Sequence, residues 1–266
     1  MTTEDERKSR MAREVELLWG LDAPAARRGP KPRLSREAVV RAAIAVADAE
    51  GLDALSMQRV ARELGYTTMS LYRYVDSKED MLVLMLDAAM DGVPPGPRAD
   101  GDWRAGLEEW CHDALDMYRA HPWTVFVGFS GPPSGPNGLR WMEAGLRELV
   151  ASGLGVGEAV QMLTMLSAVL RDTIRLEIEM TRAAQSTGST LLEVEGDYSV
   201  GLRRVVTADR FPTIARMLGE EVLEEAPPAD TRRTGGPAEE IDFGLHRILD
   251  GIEAYVRSRA AGPPRA

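Results

Sequence analysis

After Gly65 the chain reads Tyr66-Thr67-Thr68-Met69-Ser70-Leu71-Tyr72-Arg73-Tyr74-Val75, a run of hydroxyls, phenols and one guanidinium with no carboxylate. Short hydroxyls and phenols bond phosphate oxygens and base edges, and arginine reads guanine through paired hydrogen bonds. Methyl-bearing Thr68 and Met69 can touch thymine methyls. The chemistry on offer is recognition of DNA rather than bond-making. The same composition also suits a polar, solvated helix in any small bundle, and composition alone does not separate the two.

Constellations that could make or break bonds are weaker. Cys111 and His112 are adjacent, so on a helix they point about 100° apart and form no nucleophile–base pair. Gly128-Phe129-Ser130-Gly131-Pro132 carries Pro132 where a nucleophile elbow needs glycine. Gly153-Leu154-Gly155-Val156-Gly157 follows no strand and reads as an interhelical turn rather than a phosphate loop. His121 is the one histidine expected near an interior pocket, too little for a metal chelate. No enzyme, cofactor or metal site is expected.

Ahead of the first strong helix lies Arg27-Arg28-Gly29-Pro30-Lys31-Pro32-Arg33, a basic arm extended by its prolines. In such an arm Arg28, Lys31 and Arg33 can enter a minor groove. An exposed linker would have the same composition. The charge distribution favours a polyanion at this end. Residues 26–75 hold nine basic against five acidic side chains, whereas the whole chain of 266 residues carries −10. An acidic body behind a basic head keeps the body away from DNA. A hydrophobic fraction of 44% suits a packed globular protein, and there is no apolar run of membrane-spanning length. A single cysteine and a charged start, Met1 to Arg13, point to a cytoplasmic protein.

The elements that must hold these residues are helical throughout, because apolar residues recur at three- and four-residue spacing and alternating strand patterns are nearly absent. The spacing predicts helices near 36–50, 56–64, 68–74, 77–91, 102–120, 139–152, 157–182, 198–207, 211–223 and 239–258. Loops are expected at 185–190 and 224–238. Ser35, Ser56 and Ser77 are suited to N-caps, with Ser77 to Asp80 reading as a capping box. Gly51 and Gly65 suit left-handed C-terminal positions. Leu71 and Val75, four apart, anchor the hydroxyl-rich segment, and small Ala61 allows close approach. Two short helices joined by a tight glycine turn form a helix-turn-helix, whose second helix enters the major groove. A further helical stretch, Met11 to Leu21, places Val15, Leu18 and Trp19 on one face with no partner legible in the sequence.

The segment Ala54-Leu55-Ser56-Met57-Gln58-Arg59-Val60-Ala61-Arg62-Glu63-Leu64-Gly65, then Ser70-Leu71-Tyr72-Arg73-Tyr74-Val75 and Ser77-Lys78, resembles the TetR family of one-component repressors. Asp102-Trp103 and Phe243-Gly244-Leu245 through Leu249-Asp250-Gly251-Ile252-Glu253 resemble its tetracycline-repressor-like C-terminal domain. The resemblance implies an all-α protein. Residues 1–33 would be an extension with the basic arm, 34–80 a three-helix helix-turn-helix domain, and 81–260 a larger ligand-binding and dimerisation bundle. It implies recognition positions at Thr67, Thr68, Met69, Ser70, Tyr72, Arg73 and Tyr74. Arg73 and Gln58 are then suited to base reading, and Ser56, Tyr72 and Lys78 to the backbone.

It further implies a homodimer through the helices near 157–182 and 239–258, presenting two reading heads to a partly palindromic operator. Ligand would shift the helix beginning at Lys78 and spread those heads, so the expected function is a repressor released by a small molecule. A non-sensing DNA-binding or partner-binding protein, or an activator of the same fold, is the alternative. Large adaptable side chains gather at Trp103, Trp110, Met117, Tyr118, Trp123, Phe126 and Phe129, and Met85, Met90, Met142, Met162 and Met165 join them in the expected bundle. Such a set lines apolar pockets, although each alone could be plain core. As a group they suggest an apolar, aromatic or polycyclic ligand, with Arg171, Asp172 and Arg175 as polar contacts or mere surface charges. Tetracycline itself is disfavoured, since Asp91-Gly92-Val93-Pro94 stands where the tetracycline sensor has a histidine.

Overall fold

A computed structural model describes residues 3–21, 34–128, 131–219 and 237–260, and among these residues every regular element is a helix. Helix α1 spans Thr3–Leu18 and α2 spans Arg36–Glu50. Ser35 caps α2, its hydroxyl accepting the Ala38 N–H at 3.1 Å, and Gly51 ends it at a φ of 83°. Helix α3, Met57–Leu64, is opened by Ser56, whose hydroxyl takes the Arg59 N–H. Gly65 closes α3 at φ 72°, ψ 28°, with its N–H turned back to the carbonyls of Ala61 and Arg62. Only glycine adopts that conformation at little cost.

Helix α4 is shorter than its sequence suggests. Regular helix covers Thr68–Leu71 rather than 68–74, and Tyr72 to Tyr74 form a turn in which Tyr74 and Val75 both donate to the Leu71 carbonyl. One helical turn has no stability of its own in water. Leu71, fully buried, and Val75 hold it in place. Burying such a side chain contributes about 1.5–3 kcal/mol. Helix α5, Lys78–Ala89, follows with Ser77 as cap, the serine hydroxyl accepting the Asp80 N–H. Asp80 turns its own carboxylate to Arg13 of α1.

The core of this region joins Val39, Ala43 and Val46 of α2 and Val60 of α3 to Leu71. Met81, Met85 and Ala89 of α5 continue it, and Trp123 of the 3-10 segment Pro122–Phe126 completes it. One apolar core runs from the helix-turn-helix along the whole of α5. Helix α6, Trp103–Ala120, starts from Asp102, whose carboxylate accepts the N–H groups of Arg104 and Ala105. Helix α7 spans Pro136–Ala151 and α8 spans Val156–Ser186. The start of α7 lies three residues before its expected one, with Pro136 tolerated in the first turn, where no N–H is needed.

The chain divides into two compact units, Met1–Ile174 and Arg175–Ala266, the division falling within α8. The second unit holds the end of α8, α9 (Leu191–Leu202), α10 (Pro212–Leu218) and α11 (Pro237–Ala260). Helix α9 departs most from expectation, since it begins at 191 instead of 198. Thr190 and Glu193 form a reciprocal capping box, with Thr190 N–H to Glu193 at 2.7 Å and Glu193 N–H to Thr190 at 3.2 Å. That Thr-x-x-Glu pattern stands in the sequence but opens a helix with little apolar periodicity. Leu245, Leu249 and Ile252 make the buried stripe of α11. Among the described residues no helix is long and apolar enough to cross a membrane.

Candidate functional site

The helix-turn-helix exposes one face of large and hydroxylated side chains. Met69 is 75% exposed and Tyr72 44%, with Tyr66 and Arg73 beside them at the surface, while Leu71 between them points inward. Thr67 and Ser70 join hydroxyls at 2.9 Å, which fixes both rotamers at the start of α4. Gln58 and Ser56 are exposed on α3, Thr68 and Lys78 half-buried. Tyr74 is also half-buried and packs against the helix-turn-helix core, and its carbonyl accepts Arg36 Nε at 3.0 Å. Arg59 is bound to Glu50 of α2 and Glu63 of α3, and that hydrogen bond holds the Glu50 carboxyl below its ordinary range. It serves as a tie between helices. Arg28, Lys31 and Arg33 lie outside the described residues.

Three polar joints fasten α5 and the helix-turn-helix to their surroundings, and none of them is legible as such in the sequence. At the C-terminal end of α5, Asp87 accepts the Gly138 N–H at 2.9 Å and the Asn137 N–H at 3.4 Å, so it caps α7 from a different helix. Asn137 returns a bond to the Asp87 carbonyl, and the Trp141 indole donates to the Met90 carbonyl at 3.0 Å. Burial pushes the Asp87 carboxyl up, opposed by those amide donors. Gly135 suits this position, because a Cβ there would overlap the Asp87 carboxylate. The third joint reaches α2, where Asp48 accepts the Trp123 indole N–H at 2.8 Å and lies 2.9 Å from His121 Nδ1. The glycines of Gly135-Pro136-Asn137-Gly138 were the available clue to the first joint.

The residues expected to line a ligand site are only partly brought together. Trp110 is buried, packs edge-on to Trp141 at 6.3 Å, and donates to its carbonyl at 2.9 Å. Gly145 permits this approach: a Cβ would come within 2.6 Å of Leu163 and 3.2 Å of Trp110. Trp103, Met117, Tyr118, Phe126, Met142 and Met162 are half-buried. The Tyr118 phenol is pushed up by burial, with the charge of Arg171 acting against it, which puts those two groups near each other.

Three expected members go elsewhere. Trp123 belongs to the core of the helix-turn-helix, held there by Asp48. Met165 is half exposed, with Val160 and Val169. Arg175 is exposed and belongs to the second unit, and Phe129 lies outside the described residues.

Glu148 is a polar interior residue that helical periodicity does not reveal. It is buried on α7, bonded to Arg147 at 2.8 Å, and fits because Gly106 of α6 has no side chain. A glycine inside the helical stripe of α6 was its only trace. Arg147 also donates to the Pro95 carbonyl and so closes the connection ahead of α6. Cys111 is buried, and its thiol is pushed well above the ordinary range by desolvation, which leaves it a poor nucleophile. Among the described residues no group of His, Cys, Asp and Glu could hold a metal ion. An open depression of about 550 Å³ in the second unit, between Arg203 and Gly219, includes none of the expected ligand residues.

Comparison with known proteins agrees with this geometry. Residues 39–85 match the family model for bacterial regulatory proteins of the tetR family, and residues 95–256 match the tetracyclin repressor-like C-terminal domain. The HTH-type transcriptional repressor DrrR1 of Streptomyces coeruleorubidus is 38% identical over 259 residues, covering 97% of this chain and 91% of that protein. The class A tetracycline repressor of Escherichia coli is 27% identical, over 83% of this chain and 91% of its own. Among solved structures, ActR of Streptomyces coelicolor in complex with actinorhodin superposes with a TM-score of 0.67 at 28% identity, covering 85% of this chain and 97% of that one. The matched regions take in the exposed face of α4 and most of the helical body, and the chain belongs to the TetR family of DNA-binding transcriptional regulators.

Proposed function

We propose that this regulator is a cytoplasmic homodimeric repressor that leaves a partly palindromic operator when a lipophilic, polycyclic aromatic compound binds its helical body. The observation that carries the reading is the face of α4, where Met69, Tyr72 and Arg73 are held outward by a buried Leu71. Arg73 and Gln58 read base edges, with Thr67, Thr68, Met69 and Ser70 alongside, while Ser56, Tyr72 and Lys78 bond phosphates. Dimerisation is supported by an uncovered stripe along α8, Met165, Val169, Leu176 and Met180, four large apolar residues on a helix that buries Leu163, Leu166, Leu170 and Ile174 on another face. Exposed Phe243 and Tyr255 give α11 a similar surface.

The ligand class is supported by the aromatic interior of α6 and α7 around Trp110 and Tyr118, and by actinorhodin bound to the related ActR. Ligand binds one arrangement of α5 more tightly than the other, and that difference alone moves the equilibrium. The test is selection of bound fragments from a random DNA pool, followed by anisotropy titration with and without actinorhodin. Enrichment of an inverted repeat, and its release by the compound, is expected. Absence of any enriched sequence would refute the DNA assignment, and retention of DNA at saturating compound would refute the ligand class.

A further inference from the structure

The N-terminal helix lies ahead of both matched regions, the first of which begins at residue 39. It is nevertheless bonded at two places that the rest of the fold keeps separate. On the side of the helix-turn-helix, Arg13 donates to Asp80 in the first turn of α5 at 2.9 Å and lies 3.6 Å from Asp76. The Leu17 carbonyl there accepts Arg36 of α2 at 3.4 Å, and Leu17 itself is buried. On the side of α7, the indole of Trp19 donates to the Ser134 carbonyl at 2.9 Å. The methyl of Met11 sits 3.6 Å from where a Cβ of Gly131 would be. The turn carrying Gly131 and Ser134 leads straight into α7, which Asp87 fastens to the far end of α5.

From this geometry we infer that α1 is a clasp across α5, and that it opposes any movement of the helix-turn-helix relative to α7. A swing of α5 about its Asp87 joint carries Asp80 and Arg36 away from Ser134. Helix α1 cannot follow both, so either the Arg13 and Leu17 contacts or the Trp19 bond must break. The free energy of those contacts is then a term in the switching equilibrium, present only in the clasped arrangement. The exposed Arg13 pair contributes little by itself; Leu17 burial and the Trp19 bond carry most of the clasp. The consequence is regulatory: the clasp raises the effector concentration needed for release. This inference rests on the proposed ligand-driven release, but its mechanical part does not.

The test uses the full chain carrying Leu17→Asp, which expels α1, and separately Arg13→Gln with Trp19→Phe, which removes the ion pair to Asp80 and the indole bond to Ser134 and keeps an aromatic ring. Hydrogen exchange needs neither DNA nor ligand. Exchange in residues 78–85 should rise at least about threefold in both variants. With a DNA fragment selected by the wild type, the actinorhodin concentration for half-release should fall at least about fivefold, while affinity without actinorhodin changes by less than about twofold. Free exchange of α1 in Leu17→Asp, with 78–85 as protected as before, would overturn the clasp. So would an unchanged half-release concentration. If actinorhodin fails to release the wild type, the ligand reading fails, and the exchange result alone decides the clasp.

Discussion

Replacing Asp87 by alanine removes the acceptor that caps α7 from the end of α5. Of the two bonds removed, the one from Gly138 at 2.9 Å has normal length, and the one from Asn137 at 3.4 Å is long. Losing a cap costs about 0.5–2 kcal/mol, and a buried donor left without an acceptor costs about 1–3 kcal/mol. Relief of the carboxylate's own desolvation offsets part of this, so a net loss of about 1–2 kcal/mol is expected. For a chain of this size that lowers Tm by about 3–6 °C.

Burial holds the Asp87 carboxyl above the ordinary aspartate range. A group with a raised folded-state value contributes most when protonated, below its unfolded value, and loses that contribution as pH rises through the folded value. The deficit of Asp87→Ala should therefore widen as pH falls from about 7 toward about 4. Urea unfolding at several pH values, followed by tryptophan fluorescence and circular dichroism, measures this. A deficit below about 0.5 kcal/mol at pH 7 would refute the cap, and one that shrinks on acidification would show the amide donors outweighing burial at the carboxyl. Gly135→Ala supplies the second corner of a cycle. Its Cβ collides with the carboxylate in the wild type, at about 1–3 kcal/mol, and finds space in Asp87→Ala.

Arg73→Ala should weaken binding to the selected operator by about 1–3 kcal/mol and relax its sequence preference; an equal loss on random DNA would remove the base-reading role. Glutamate at Leu176 and Val169, 58% and 42% exposed, should convert the proposed dimer to monomer in sedimentation while helix content is retained, and a dimer that persists would place the interface elsewhere. Cys111 should react with a thiol reagent only as the protein unfolds, because its thiol is buried and its ionisation suppressed; rapid labelling of the native chain would contradict this. Replacing Arg28, Lys31 and Arg33 by glutamine should flatten the salt dependence of operator affinity by about 0.9 in log–log slope for each phosphate no longer neutralised, and an unchanged slope would exclude the arm from the complex.

The residues proposed to face DNA were legible because their requirements are local. Ser56 and Gly65 lie within four residues of the groups they satisfy, and Leu71 and Val75 recur at helical spacing, so the chain announces α3, the turn and α4 without reference to anything distant. The length of α4 was misjudged for a related reason: periodicity continues through Tyr74, but the backbone closes on the Leu71 carbonyl as soon as Leu71 and Val75 are buried. In the body of the protein, composition identified a gathering of aromatic and methionine side chains but could not sort them. Trp123 and Trp110 are alike in sequence. Asp48 draws the first into the helix-turn-helix core, and the Trp141 carbonyl holds the second between α6 and α7.

What the sequence by itself determined is the helical class, the reading head with its caps and glycine turn, and the local basic charge on an acidic chain. Each follows from contacts within a few residues or from composition, which a linear reading contains. Only the tertiary structure decided how the head is held: Asp87 on the amides of α7, Asp48 on Trp123 and His121, and Arg13 and Trp19 on the two ends of the clasp. These partners lie from 50 to 115 residues apart. Polar groups find such partners because each must be satisfied once folding removes water from it, and which partner is nearest depends on the packing of whole helices.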